Sequence, residues 1–120
     1  MNFIDLNALV QLVQKWFVER DLHKQDGIGQ LAKLQEEVQE LLDARSDKNV
    51  SEEIDAIGDI TVVLIGYCMQ RGLSFTSCLD SAYQEIKDRK GKLVDGVFVK
   101  ESDLNSDLDA KYSKYINEGD

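Results

Sequence analysis

The chain has 120 residues, the size of one compact domain able to bury one core. Its composition, 42% hydrophobic and 31% charged, excludes a disordered chain. Its net charge of −9, from 23 acidic against 14 basic residues, sets it against nucleic-acid backbone. A single small phosphate compound accompanied by a divalent cation stays compatible with that charge, because the metal reverses the local sign.

The longest apolar run, Ile60 to Cys68, is broken by Thr61 and Gly66 and falls short of the roughly 20 residues needed to cross a bilayer. No membrane span is expected. Cys68 and Cys78 are ten apart without a CxxC spacing, and no basic-then-apolar leader opens the chain. They read as reduced packing thiols of a cytosolic protein.

Proline is absent and apolar residues recur at helical spacing, which predicts a mostly α-helical chain. Leu6, Leu9, Val10, Val13, Trp16 and Phe17 form the stripe of a first helix over about 3–21, which places Trp16 in the core. Gly27 and Gly29 interrupt the pattern. His23, the only histidine, reads as a surface residue near a helix end.

A second helix over about 29–45 carries Leu31, Leu34, Val38, Leu41 and Leu42 as its core stripe. Ser51, followed by Glu52 and Glu53, has the pattern of an N-cap opening a third helix. That helix continues through Ile54, Ile57, Ile60, Leu64 and Tyr67 to Arg71, with Gly72 as its C-terminal cap. A fourth helix begins near Ser74 and carries Leu79, Ala82, Tyr83 and Ile86 toward Gly91.

Four helices with short connections predict an all-α, bundle-like fold. KLVDGVFVK, with Asp95-Gly96 between β-branched residues, predicts a small hairpin, and a short amphipathic helix is expected from Ser106 to Asn117. One domain over 1–104 followed by a helix and tail over 105–120 is the resulting organisation.

The chemistry concentrates in LQEEVQELLDA, Leu34 to Ala44. At about 100° per residue, Glu36, Glu37 and Glu40 fall within about 100° of arc, with Glu37 nearest the Leu34/Leu41 stripe. On the third helix Glu52, Asp55 and Asp59 fall within about 60°. Asp59 lies between apolar flanks, and an ionised carboxylate there needs a proton, an ion pair or a metal. Antiparallel packing of the two helices would bring both clusters face to face, an all-oxygen site suited to Mg²⁺ or Mn²⁺.

The default role of Glu52 and Glu53 is capping, and Glu36 and Glu40 alone would read as a solvated face. Glu37 and Asp59 together favour the metal. Other metal grammars fail: an EF-hand started at Asp43 puts Lys48 at the turn glycine and Ile54 at the closing glutamate, and His23 is in no Glu-x-x-His motif.

LQEEVQELLDA followed by EEIDAIGDITVVLIGY resembles the EExxE and ExxD blocks of the MazG-like nucleoside triphosphate pyrophosphohydrolases, of the all-α NTP pyrophosphatase superfamily. GQLAKLQEE is similar to the lead-in of the first block. AYQEIKDRKGKLVDGVFVKESD is similar to the C-terminal segment of MazG-like proteins, bacteriophage-encoded members included.

The resemblance spans roughly residues 28 to 103. It implies hydrolysis of nucleoside triphosphates, dNTPs included, between the α and β phosphates, in control of nucleotide pools. By position it makes Glu37, Glu40 and Asp59 the Mg²⁺ ligands (Mn²⁺ being an alternative) and Glu36 the base that activates water. It also implies a homodimer or homotetramer, in the cytoplasm or, for a phage-encoded protein, the host's cytoplasm.

Where the family's ExxD glutamate stands, this chain has Ala56. Asp55, one turn before Asp59 on the same face, is the expected replacement ligand, with Glu52 in reserve. Lys33, Arg89 and Lys90 are the expected substrate-side cations, and Lys92 is assigned to solubility. Gln84 takes the place of a family asparagine, and Tyr83 is a second substrate contact. Ala56 also sustains an alternative, a catalytically weak or silent helical module that binds a nucleotide or a protein.

Overall fold

Each helix starts where a short polar side chain or a glycine lets the backbone turn. The computed structural model describes residues 4–104: α1 (Leu6–Glu19), a 3₁₀ turn (Leu22–Lys24), α2 (Ile28–Ser46), α3 (Val50–Gln70), α4 (Phe75–Ile86), β1 (Gly91–Val94), β2 (Val97–Lys100) and a second 3₁₀ turn (Glu101–Asp103). The fold is mostly helical and bundle-like with a small hairpin, as periodicity predicts. The helix expected over 106–117 and the tail over 105–120 lie outside the described residues.

Two compact units divide the chain, Met1–Leu79 and Asp80–Asp120, with α4 starting in the first and ending in the second. In the first unit Asp5 accepts the Asn7 amide at 2.9 Å and opens α1. Gly27, at φ +97°, opens α2, where a Cβ would stand 2.9 Å from the Tyr67 ring. The cap of α3 is Asn49, not Ser51: its side chain accepts the Glu52 amide at 3.2 Å. Lys48, at φ +56°, has already turned the chain, so the helix begins at Val50. Gly72 ends it at φ +69°.

The largest helix contact is between α2 and α3, joined by only three residues, and α1 packs on α3. The ring of Phe17, 2% exposed, lies so close to Gly66 that any Cβ there would overlap it. Val10, Phe17, Ala44, Ala56, Val63, Ile65 and Cys68 are buried.

This core departs from the predicted stripes. Leu31, Val38, Leu42, Ile54, Ile57 and Leu64 are exposed, as are Leu6, Leu9, Trp16, Leu79, Ala82, Tyr83 and Ile86. The reason is rotational. α2 turns the line Leu34–Glu37–Leu41–Ala44 inward, and Val38, about 100° around from Glu37, is carried off that face. Among the described residues no single helix is long and apolar enough to cross a bilayer.

In the second unit β1 and β2 pair antiparallel, Gly91 opposite Lys100 and Val94 opposite Val97. Asp95 and Gly96 both have positive φ, +50° and +80°, the signature of the two-residue turn predicted there. Helix α4 stops at Ile86 rather than near Gly91, because the hairpin recruits the chain that follows: the Glu101 N–H donates to the Lys90 carbonyl at 2.6 Å. Arg89 and Lys90 therefore lie past the helix end, and Lys92 lies in β1.

Gly66→Ala should lower unfolding free energy by about 1–3 kcal/mol, since the added methyl has to displace the Phe17 ring. Urea denaturation checks this, with Gly58→Ala, where a Cβ meets nothing within 4 Å, as the comparison that stays neutral or gains.

Candidate functional site

The buried line of α2 contains a carboxylate. Glu37 is 3% exposed, in the same inward line as Ala44, and it faces α3, whose second turn supplies buried Ala56. Asn49 sets where α3 starts and thereby its register against α2. The register brings Glu37 and Glu40 of α2 beside Asp59 of α3, so that one carboxylate oxygen of each lies within 4.8 Å of the others.

Glu37 Oε1 accepts an ion pair from Lys33 Nζ at 3.3 Å, and the same ammonium reaches Glu36 Oε2 at 3.5 Å. The two carboxylates raise the Lys33 pKa, first through the hydrogen bond to Glu37. Glu37 Oε2, in contrast, is buried without a hydrogen-bond partner. A buried, unpartnered carboxylate oxygen costs free energy.

Glu40 has a raised pKa, first because it can share a proton with Glu37 and second because of the Glu37 charge, with Asp59 adding a smaller push. A cation between them would satisfy Glu37 Oε2 and remove the repulsion together, which is the requirement of a hard divalent ion with oxygen donors. The residues fit such an ion, and Glu37, Glu40 and Asp59 are the ones able to hold it.

An acidic cleft of about 430 Å³ opens on the same helix pair, lined by Glu40, Asp43, Glu52, Asp55, Ala56 and Asp59. Asp55 and Glu52 line it without joining the close trio. Ala56 presents only a methyl group to it. Asp43 was not predicted in this role. It stands three residues after Glu40 and so on nearly the same face, a spacing that could have identified it; its Oδ1 accepts Gln39 Nε2 at 3.0 Å.

Glu37, placed by helical rotation nearest the Leu34/Leu41 stripe, is enclosed as expected, whereas Asp59, expected between apolar flanks, is exposed. The inward faces of α3 are taken by Ala56 and Val63, which sets Asp59 at the cleft mouth. Glu36 is exposed and lies outside the close trio, with Lys33 as its neighbour.

Trp16 is not core: it is 45% exposed and lines an apolar cleft of about 290 Å³ with Leu9, Leu12, Val13 and Val62. Its ring meets Phe17 edge-on at 5.3 Å and carries the Arg20 guanidinium at 4.2 Å. Tyr83, Gln84, Arg89 and Lys90 belong to the second unit and are exposed; Gln84 Nε2 donates to Asp80 Oδ1 at 3.3 Å.

A family model described as phosphoribosyl-ATP pyrophosphohydrolase matches residues 9–89, which contain every residue of the trio and of the cleft. That family lies in the same all-α NTP pyrophosphatase superfamily as MazG. No curated protein and no solved structure matches the chain.

If the trio holds a divalent ion, Mn²⁺ or Mg²⁺ at 100 times its dissociation constant should stabilise the protein by about 2.7 kcal/mol. Thermal unfolding with and without the ion measures this, and the gain should vanish in Glu37→Gln and in Asp59→Asn. Those variants should themselves melt no lower than the wild type without metal, because each removes a repelling charge.

Proposed function

Because the chain belongs to the phosphoribosyl-ATP pyrophosphohydrolase family, whose chemistry is pyrophosphate release from a nucleotide-like substrate, we propose that it hydrolyses nucleoside triphosphates, dNTPs included, at the α–β bond. The products are a nucleoside monophosphate and pyrophosphate. The observation that carries this reading is the orphaned Glu37 oxygen inside the Glu37, Glu40, Asp59 trio, which calls for a cation of the kind a triphosphate brings with it. Mg²⁺ is the proposed ion, with Mn²⁺ next.

A divalent ion held there would neutralise phosphate charge and orient the attacking water. Glu37, Glu40 and Asp59 would hold it, with Asp55 as the added carboxylate replacing the side chain that Ala56 lacks and Glu52 behind it. Glu36, exposed and unburdened by ligation, takes the proton of the attacking water on its carboxylate. Lys33 pairs with both Glu36 and Glu37 and offsets part of their charge.

The family description favours a second reading, in which phosphoribosyl-ATP itself is the substrate. Both readings cleave the same bond, so the two differ only in what lies beyond the phosphates. The MazG-like reading, phage-encoded members included, rests on the acidic blocks and the C-terminal segment. Pool control in the cytoplasm, without a nucleic-acid or membrane partner, goes with it and with the charge of −9.

A second copy of the chain is the proposed macromolecular partner, as a homodimer or homotetramer. Val38 and Leu42 of α2 and Ile54 and Ile57 of α3 supply the apolar surface for it, since all four are large and solvent-facing in one chain.

Two measurements follow. With Mg²⁺ and a panel of ribo- and deoxynucleoside triphosphates plus phosphoribosyl-ATP, pyrophosphate release should appear and fall about 10²–10⁴-fold in Glu36→Gln; silence toward the whole panel would leave the binding-module alternative standing. Sedimentation should give at least twice the 13.6 kDa chain mass, and Val38→Asp with Ile57→Asp should shift it toward one chain.

A further inference from the structure

The sequence places Lys33 among the substrate-side cations, but the fold commits its ammonium to two carboxylates of its own helix. Nζ lies 3.3 Å from Glu37 Oε1 and 3.5 Å from Glu36 Oε2. All three side chains belong to α2 and to the first unit. Among the described residues no other cation is ion-paired with the trio or with Glu36.

The two ends of the pair with Glu37 are unlike. The Lys33 side chain is 53% exposed and that of Glu37 is 5% exposed, so the ammonium reaches in from solvent to an enclosed carboxylate. A lysine four residues before a glutamate is the weaker of the two orders for stabilising a helix, so helix stability is a poor account of the pair. Its effect on Glu37 is specific. Oε1 is taken by Lys33, and Oε2 is buried without a hydrogen-bond partner. Of the two oxygens, one is left for a ligand.

The number of oxygens a carboxylate offers separates the hard divalent ions. Ca²⁺ accepts about six to eight oxygens in flexible geometry and takes both oxygens of one carboxylate readily. Mg²⁺ holds to an octahedron, keeps several of its waters and is bound through one or two carboxylates. A buried glutamate with one oxygen already paired suits the second ion and disfavours the first.

We propose that Lys33 determines which ion the site takes: by holding Glu37 Oε1 it confines Glu37 to binding through Oε2 alone, and so selects Mg²⁺ against Ca²⁺. This inference rests on the metal reading of the Glu37, Glu40, Asp59 trio and adds to it the choice of ion. Lys33 acts through Glu37 and is a positioning residue rather than a ligand. Its charge repels both divalent ions in nearly the same measure, since they carry the same charge. The repulsion therefore cancels in the ratio of the two affinities, and the mode of binding remains.

Isothermal titration calorimetry of the full chain with MgCl₂ and with CaCl₂ measures that ratio without turnover. In Lys33→Met the affinity for Ca²⁺ relative to Mg²⁺ should rise about tenfold over the wild type, the usual scale for a residue that orients a metal ligand. A relative affinity unchanged in Lys33→Met, with both ions still bound, overturns this proposal and leaves the metal reading in place. A wild type that binds neither ion overturns both. Crystals of the wild type grown with Ca²⁺ read the same point without a substitution. Glu37 should meet the ion through Oε2 alone with Lys33 still on Oε1, and an ion held through both oxygens, or through Oε1, overturns the proposal.

Discussion

The constraint on which the rest of the first unit depends is the burial of one ionisable group, Glu37, in the interface of α2 and α3. Enclosing a carboxylate costs several kcal/mol unless it is paired, and Lys33 pairs only one of its two oxygens. Glu40 and Asp59, each with a carboxylate oxygen within 4.8 Å of one of Glu37's, add charge of the same sign. In the absence of a cation the helix pair therefore holds an unfavourable arrangement, and the packing of its other residues has to maintain it.

That packing is done by small side chains. Ala44 and Ala56 are almost fully enclosed, and Gly66 lets the Phe17 ring approach the α3 backbone directly. Close approach of α2 and α3 is what puts three carboxylates on two helices within reach of one ion. The same choice has an outward consequence: with Ala44, Ala56 and Glu37 inside, several large aliphatic residues of α2 and α3, Val38, Leu42, Ile54 and Ile57 among them, are left at the surface. A chain that spends its inward face on a polar site needs another body to cover its outward one, which links the proposed metal site to the proposed assembly.

Much of this was legible in the chain itself. The four helices, the Asp95-Gly96 hairpin, the Gly72 cap and the acidic blocks are local signals, carried by spacing and turn chemistry within a few residues. The core was less legible because hydrophobic periodicity reports which face is apolar, and not whether that face is covered within the same chain. Leu31, Val38, Leu42, Ile54 and Ile57 followed the rule for a core stripe and lie exposed. Trp16 failed for the same reason. The end of α4 failed for another: pairing between Lys90 and Glu101 competes for residues that helical periodicity alone would have extended to Gly91.

Within the site, the residues themselves were determined by sequence: Glu36, Glu37, Glu40, Asp55 and Asp59 are placed on two helix faces by a rotation of about 100° per residue, whatever those helices pack against. The same rotation set Glu37 nearest the buried stripe of α2. Tertiary structure alone left Asp59 exposed, brought Asp43 into the cleft and made Ala56 part of its wall. The physical reason is that burial depends on the relative rotation of two helices about their axes. That rotation is set by where small residues allow close contact, a property of the pair that neither helix carries alone.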